Sequence, residues 1–305
     1  MRNDASYEEL RPLLFSIAYR MIGSVSEAED IVQEAFLRIH RAEAEGTTIE
    51  SPKAYLSAVT TRLGIDHLKS ARVRREQYVG QWLPEPLLTD DSVPDAATHA
   101  ETADSLSTAF LVLLESLTPV ERAVFLLREV FDYGYGEIAR IVDSTEDNCR
   151  QLYVRARRHV DEGRPRFEAS RKHRDELVER FFAAAERGDL AALEEMLAAD
   201  VVVYGDGGGK APSWPQPIYG RERVAKLIAG TVKQAKELGV RVRAAHVNGQ
   251  PGVLFLDDEE RIGAVMSIDV ADGLVQAIRG VTNPDKLAHL GQVLDAREVL
   301  RRNRG

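Results

Sequence analysis

The chain has 305 residues, 44% of them hydrophobic and 29% charged, which allows two or three domains and excludes a largely disordered polypeptide. A single cysteine excludes an internal disulfide framework. No apolar run approaches the roughly eighteen residues of a membrane span, and the opening MRNDASYEEL lacks a signal-peptide core, so a cytoplasmic protein with no membrane partner is expected.

The seven histidines show no metal-ligand spacing, so neither a metal nor a cofactor is expected. The net charge of −9 argues against nucleic acid until the distribution of the cations is considered. Lys69, Arg72, Arg74 and Arg75 form one cluster, and Arg150, Arg155, Arg157, Arg158, Arg164 and Arg166 form another. An acidic chain with two such stripes can hold DNA where they are presented together.

Residues 6–78 read as helical. In SEAEDIVQEAFLRIH, Ser26 and Glu29 form a capping-box pattern, and Ile31, Val32, Ala35, Phe36 and Ile39 share one face, predicting core. Asp30, Gln33, Glu34 and Leu37 fall on the other face, where Leu37 either meets a partner or is a single exposed leucine. Ser51-Pro52 predicts the start of a second helix, which ends in the first basic cluster and has Tyr55 and Tyr78 at its two ends. Cations beside aromatics suit unpaired bases, although a solvated helix end reads the same way.

QWLPEPLL follows, with Trp82, Leu83 and Leu87 set among prolines that forbid a regular helix. Acidic residues come next (Asp90, Asp91, Asp95, Glu101, Asp104), and no Lys or Arg lies between Arg75 and Arg122. A flexible connector has no need of such a greasy plug.

A second helical block spans roughly 105–163. Thr118-Pro119-Val120-Glu121 is another capping box, and a helix over 135–142, a break at Asp143-Ser144 and a longer helix from about 145 make a helix-turn-helix pattern. Cys149, Leu152, Tyr153, Ala156 and Val160 share the predicted buried face, which makes Cys149 an inert core thiol. Gln151, Arg155 and Arg158 project opposite, with Asn148 and Arg150 near the start of the helix. These are the residue types that read base edges and phosphates in a major groove.

From about 170, HRDELVERFFAAAERGDLAALEEML reads as two amphipathic helices, VVVYGD as a strand and GRERVAKLIAGTVKQA as a third helix. Four strands follow, with hairpin turns at Asn248-Gly249 and Asp272-Gly273, predicting an α+β layer with antiparallel strands around a pocket. DGGGK lacks the spacing of a phosphate loop and reads as an irregular loop able to bind an anion or meet another domain. Tyr204, Asp206, His246 and Asp269 are the polar candidates for lining a pocket. No acid–base pair emerges from their spacing, and no catalytic residue is assigned.

AEDIVQEAFLRIH, AYLSAVTTRLGIDHLKS and LTPVERAVFLLREVF…EIARIV…NCRQLYVRARR together resemble an extracytoplasmic-function (ECF) RNA polymerase sigma factor. WLPEPL (82–87), DGGGK (206–210) and NPDKL (283–287) resemble the signatures of the subgroup with a fused C-terminal SnoaL-like domain. The resemblance implies a multidomain chain with two all-α sigma domains and an α+β SnoaL-like cone domain. Region 2 would span 1–79, a linker 80–104, helix-turn-helix region 4 105–165, a SnoaL-like regulatory domain 170–288 and a tail 289–305.

The resemblance further implies a protein that is not an enzyme and that directs polymerase to promoters. Asp30, Gln33, Glu34 and Leu37 would bind the core enzyme, the helix from 52 would capture the −10 element, and the helix from 145 would read the −35 element. Trp82, Leu83, Pro84, Glu85, Pro86 and Leu87 would dock beside Asp206, Gly207, Gly208, Gly209 and Lys210 and beside Asn283, Pro284, Asp285, Lys286 and Leu287, giving control in cis without a dedicated anti-sigma factor. Attachment by a short tether places this domain at an effective concentration of millimolar order. A small ligand in the SnoaL-like pocket is a further possible partner, and the tail would contribute to activity. The alternatives are a ligand-responsive helix-turn-helix regulator and an enzyme with a helical partner-binding module. The basic helix suited to single strands separates the sigma reading from the first of these.

Overall fold

The computed structural model describes residues 7–76, 78–89, 105–163 and 171–295, with the backbone alone for 71–76 and 163. Asp90, Asp91, Asp95, Glu101, Asp104, Arg164, Arg166 and the tail beyond Asp295 lie outside the described residues, as do the side chains of Arg72, Arg74 and Arg75. The chain divides into two compact units. One comprises Met1–Gln77 with Leu111–Arg164, and the other Tyr78–Phe110 with Pro165–Gly305. The connector between the two helical blocks therefore groups with the C-terminal domain.

In the first unit, α1 (Arg11–Ile22), α2 (Val25–Ala44) and α3 (Pro52–Glu76) enclose a core that includes Leu14, Val32, Phe36, Ile39 and Leu56. The five core positions predicted on α2 are all buried. The cap differs from expectation. Ser24, not Ser26, is the N-cap and accepts from the Glu27 amide at 3.2 Å, because the helix starts earlier and Ser24/Glu27 repeat the spacing of Ser26/Glu29. Ser51 caps α3 as predicted.

A helix at Thr108–Leu114 (α4) contains the boundary between the units. After it come α5 (Pro119–Glu129), opened by the complete Thr118–Glu121 capping box, then α6 (Tyr135–Val142) and α7 (Glu146–Gly163). Asp143 turns the chain between α6 and α7 in the left-handed conformation (φ 54°). Cys149, Leu152, Ala156 and Val160 are buried, and desolvation pushes the Cys149 thiol above its ordinary pKa. Tyr153 is only half-buried and donates its hydroxyl to Glu129 at 2.5 Å.

The two helical blocks are bonded to each other within this unit. Arg62 of α3 donates to the carbonyls of Arg140 (2.7 Å) and Ile141 (2.8 Å), in the last turn of α6 where helix carbonyls lack intrahelical partners. Tyr133 donates to Ser57 at 2.7 Å, and buried Arg122 donates to the Met21 carbonyl at 2.6 Å.

The second unit has α8 (Arg171–Arg187), α9 (Leu190–Met196), α10 (Arg221–Glu237) and a single turn, α11 (Pro284–Leu287). Its strands are β1 (Leu197–Asp206), β2 (Ile218–Tyr219), β3 (Arg241–Val247), β4 (Gln250–Leu256), β5 (Ile262–Ala271) and β6 (Leu274–Val281). They form one sheet in the order β2-β1-β6-β5-β4-β3. Phe181, Val201, Val203, Ile228, Phe255, Ile268 and Ile278 belong to the core between this sheet and its helices.

Both residues of the Asn248-Gly249 and Asp272-Gly273 turns have positive φ, as tight hairpins require. The expectation of antiparallel strands holds for β3 to β6, but β1 runs parallel to β6. The reason is topological: the first strand joins the sheet beside the last one, so a crossover replaces a hairpin.

Candidate functional site

Asp206, the last residue of β1, is fully buried. Its carboxylate accepts from the Tyr78 hydroxyl (2.5 Å), the Leu83 amide (2.8 Å), the Lys286 ammonium (2.7 Å) and the Gly208 amide (3.1 Å). Its own carbonyl accepts from the amides of Thr282 and Asn283, so β1, the DGGGK loop, NPDKL and the connector meet at one residue.

Lys286 also donates to the Leu83 carbonyl. The Trp82 and Tyr78 rings lie over its ammonium at 4.4 and 4.8 Å from their centroids. Desolvation, followed by the bond to Asp206, raises the Tyr78 phenol well above its ordinary pKa, so it remains a donor.

The glycines of DGGGK make this approach possible. A Cβ on Gly208 (φ 57°) would stand 2.3 Å from Asn283 Nδ2 and 3.0 Å from the Tyr78 hydroxyl. One on Gly207 would meet the Ala211 carbonyl at 2.4 Å. The anion-binding alternative for this loop gives way to contact with the connector. Lys210 is exposed and pairs with Asp285.

The connector continues along the end of β3, where Leu88 and Val247 form an isolated antiparallel bridge. Leu87 and Asn248 exchange backbone and side-chain bonds (2.7 and 3.1 Å), and Thr89 donates to the His246 carbonyl at 3.0 Å. His289 donates to the Pro86 carbonyl at 2.8 Å, and Asn248 reaches forward to the Leu106 carbonyl at 3.2 Å. Leu83, Pro84, Glu85 and Pro86 are buried, whereas Trp82 and Leu87 are half-buried. Two prolines in a buried extended segment remove two backbone donors that burial would otherwise orphan. Burying Leu83 alone contributes about 1.5–3 kcal/mol.

The structure brings Trp82–Leu87, Asp206–Lys210 and Asn283–Leu287 together. Tyr78, Gln81 (whose Oε1 accepts from the Gly205 amide at 3.2 Å), Asn248 and His289 belong to the same site, and no motif or spacing marks them for it. Tyr78, expected at the end of the basic helix, lies beyond Glu76, where α3 ends, and is committed to Asp206. The sequence marks Asn248 as a turn residue only. The polar pocket candidates are dispersed: His246 pairs with Asp175 at 3.0 Å, and Asp269 with Arg279, whose guanidinium lies over the Tyr204 ring. Desolvation pulls the Arg279 pKa down to about 10.

On α2, Asp30, Gln33 and Leu37 are exposed and Glu34 is half-buried, so one accessible polar face carries a leucine that is 50% exposed. On α7, Asn148, Arg150, Gln151, Arg155 and Arg158 are all exposed. Arg150 pairs with Glu146 and Asp147, Arg158 with Glu162, and Arg155 lies 3.7 Å from Glu121. Exposed pairs of this kind contribute about 0.2–1 kcal/mol and exchange readily for phosphate. Lys69 is exposed near the end of α3.

Three family models match the chain: Sigma-70 region 2 over residues 6–74, Sigma-70 region 4 over 107–160, and a SnoaL-like domain over 178–277. The ECF RNA polymerase sigma factor SigJ of Mycobacterium tuberculosis is 36% identical, with 99% of this chain and 97% of that protein covered. The probable ECF RNA polymerase sigma factor SigI of the same species is 33% identical over 93% of this chain and 94% of its own length. The crystal structure of M. tuberculosis SigJ superposes with a TM-score of 0.73 at 34% identity, covering 93% of this chain and 98% of that one.

Proposed function

Because this chain belongs to the extracytoplasmic-function sigma factors, the subunits that direct RNA polymerase to promoters, we propose that its SnoaL-like domain controls that activity in cis by holding the connector between regions 2 and 4. The carrying observation is the buried Asp206–Lys286 clamp closed on the Leu83 backbone.

The connector limits how far regions 2 and 4 can reach. Elements at −10 and −35 lie about 25 base pairs apart, or about 85 Å of duplex at 3.4 Å per step. Residues 77–107, drawn out fully, span about 100 Å. Pinning Tyr78–Thr89 to the sheet removes a large part of that span. In the first unit, Arg62, Ser57 and Tyr133 bond region 2 directly to region 4, a separation that serves neither element pair. The held connector is therefore the restrained state. Its release lets regions 2 and 4 separate onto core polymerase and the promoter in the cytoplasm.

In this reading Asp30, Gln33, Glu34 and Leu37 contact the core enzyme. Lys69 and the basic end of α3 serve the −10 element, and Asn148, Arg150, Gln151, Arg155 and Arg158 serve the −35 element. The chain acts as a transcription factor, not a catalyst, and its restraint is built in, with no separate anti-sigma protein.

The test is transcription from mapped promoters by core polymerase supplied with parent protein or Trp82→Ala, together with truncations that step inward through the tail. We expect Trp82→Ala to change promoter-specific output and to expose the connector to protease. Identical transcription and cleavage for parent and variant would remove the basis for control in cis. Failure of any form to yield promoter-specific transcripts would remove the assigned roles of α2 and α7.

A further inference from the structure

We propose that the SnoaL-like unit binds an uncharged, ring-sized organic molecule carrying a hydroxyl or N–H donor, in the cavity beneath α10, with Leu294 as its lid. The inference concerns binding by the full chain alone and does not depend on how transcription is controlled.

The cavity measures about 310 Å³ and lies between the carboxyl end of α10, strands β4 to β6 and the 212–214 loop. That is room for about ten water molecules at their share of liquid volume, the scale of a one- or two-ring compound. Trp214, Phe255, Met266 and Leu238 dominate the wall, and among the described residues no ionisable side chain lines it. A charged ligand would lose its hydration with nothing to offset the loss, so the occupant is neutral.

The wall also specifies the polarity of the occupant. The Thr231 hydroxyl hydrogen is given to the Leu227 carbonyl (2.9 Å) and that of Thr282 to the Pro212 carbonyl (2.9 Å). Both oxygens can then only accept, which calls for a donor on the ligand, while the Gln234 amide and the Ser213 hydroxyl beside them can also meet an acceptor on it.

Two glycines shape the enclosure. A Cβ on Gly205 would stand 2.6 Å from Ser213 Oγ and 2.9 Å from the Trp214 ring, so glycine lets this loop lie flush on β1 and hold the indole in place. A Cβ on Gly263 would come within 3.3 Å of Leu294 Cδ2, so glycine also seats the lid.

Leu294 is 7% exposed, and its segment is tied to β5 by bonds between Ile262 and the backbones of Gln292 (2.8 Å) and Leu294 (2.9 Å). Gly291 (φ 141°) joins it to the turn that carries Lys286. Lifting Leu294 thus acts directly beside the connector clamp.

The test is calorimetric titration of the full-length protein with 2-naphthol and with indole, using 2-naphthalenesulfonate as a charged control of the same shape. We expect one molecule bound per chain for at least one neutral probe, and binding weakened tenfold or more for the sulfonate. Thr231→Phe, which fills the mouth from a partly exposed helix position, should weaken binding by at least tenfold; Ala264→Leu serves if that variant misfolds. Leu294→Ala should speed dissociation several-fold in stopped flow. No heat from either neutral probe at about 1 mM, equal binding of the sulfonate, or unchanged binding by the filled variant overturns the site. Unchanged dissociation from Leu294→Ala overturns the lid.

Discussion

Asp206→Asn tests the clamp most directly. The carboxylate is fully buried and serves as counter-ion to Lys286, whose side chain is 9% exposed. Removing one partner of a buried ion pair leaves the other charge without compensation, at a cost of about 3–5 kcal/mol. Lys286→Met should cost a similar amount, because the buried carboxylate then loses its counter-ion. The two losses are not independent. In the double variant neither charge of the pair remains, so its cost should fall at least about 2 kcal/mol below the sum of the singles.

The assay is urea unfolding followed by tryptophan emission. Both tryptophans, Trp82 and Trp214, lie in the second unit, so the signal reports on that unit alone. Each single variant should also melt at least about 6 °C lower, given about 2–4 °C per kcal/mol for a unit of this size. Single variants within about 0.5 kcal/mol of the parent, or costs that simply add, would refute a buried charge pair as what holds the connector.

Gly208→Ala would place a methyl group 2.3 Å from Asn283 in a left-handed backbone, so chymotryptic cleavage of the connector, which carries Tyr78, Trp82 and Leu83 but no Lys or Arg, should accelerate; an unaltered digestion pattern counts against the loop's role. Leu37→Ala removes an exposed leucine, so stability should stay within about 0.5 kcal/mol while affinity for core polymerase drops tenfold or more in a competition assay. Gln151→Ala with Arg155→Ala should reduce output from promoters that depend on a −35 element and leave the melting temperature unchanged; equal output from all promoters would show that α7 does not read bases there. Tyr78 has a folded pKa raised above its unfolded value of about 10, so its contribution is complete below pH 10 and declines as pH rises beyond it. Tyr78→Phe should flatten that alkaline decline in a pH series of unfolding midpoints, and an identical slope would mean the phenol's proton is not at stake.

Local rules carried most of the helices and hairpins. Period placed the buried faces of α2 and, apart from Tyr153, of α7, and Asn-Gly and Asp-Gly marked the turns between strands, because these features depend on residues a few positions apart. Even the connector's unusual character was visible in its tryptophan, leucines and prolines, and the family resemblance indicated which motifs would meet it. What remained hidden was set by contacts between residues far apart in the chain. Asp206 became the hub because β1 runs parallel to β6 and delivers its last residue beside Lys286. Tyr78 lies outside the basic helix and Asn248 bonds to Leu87 of the connector, through contacts of the same long range. Spacing along a sequence shows which side chains share a face of one element. Only the assembled sheet decides which buried donor finds which acceptor, since an unmet polar group in the interior costs far more than a local preference contributes.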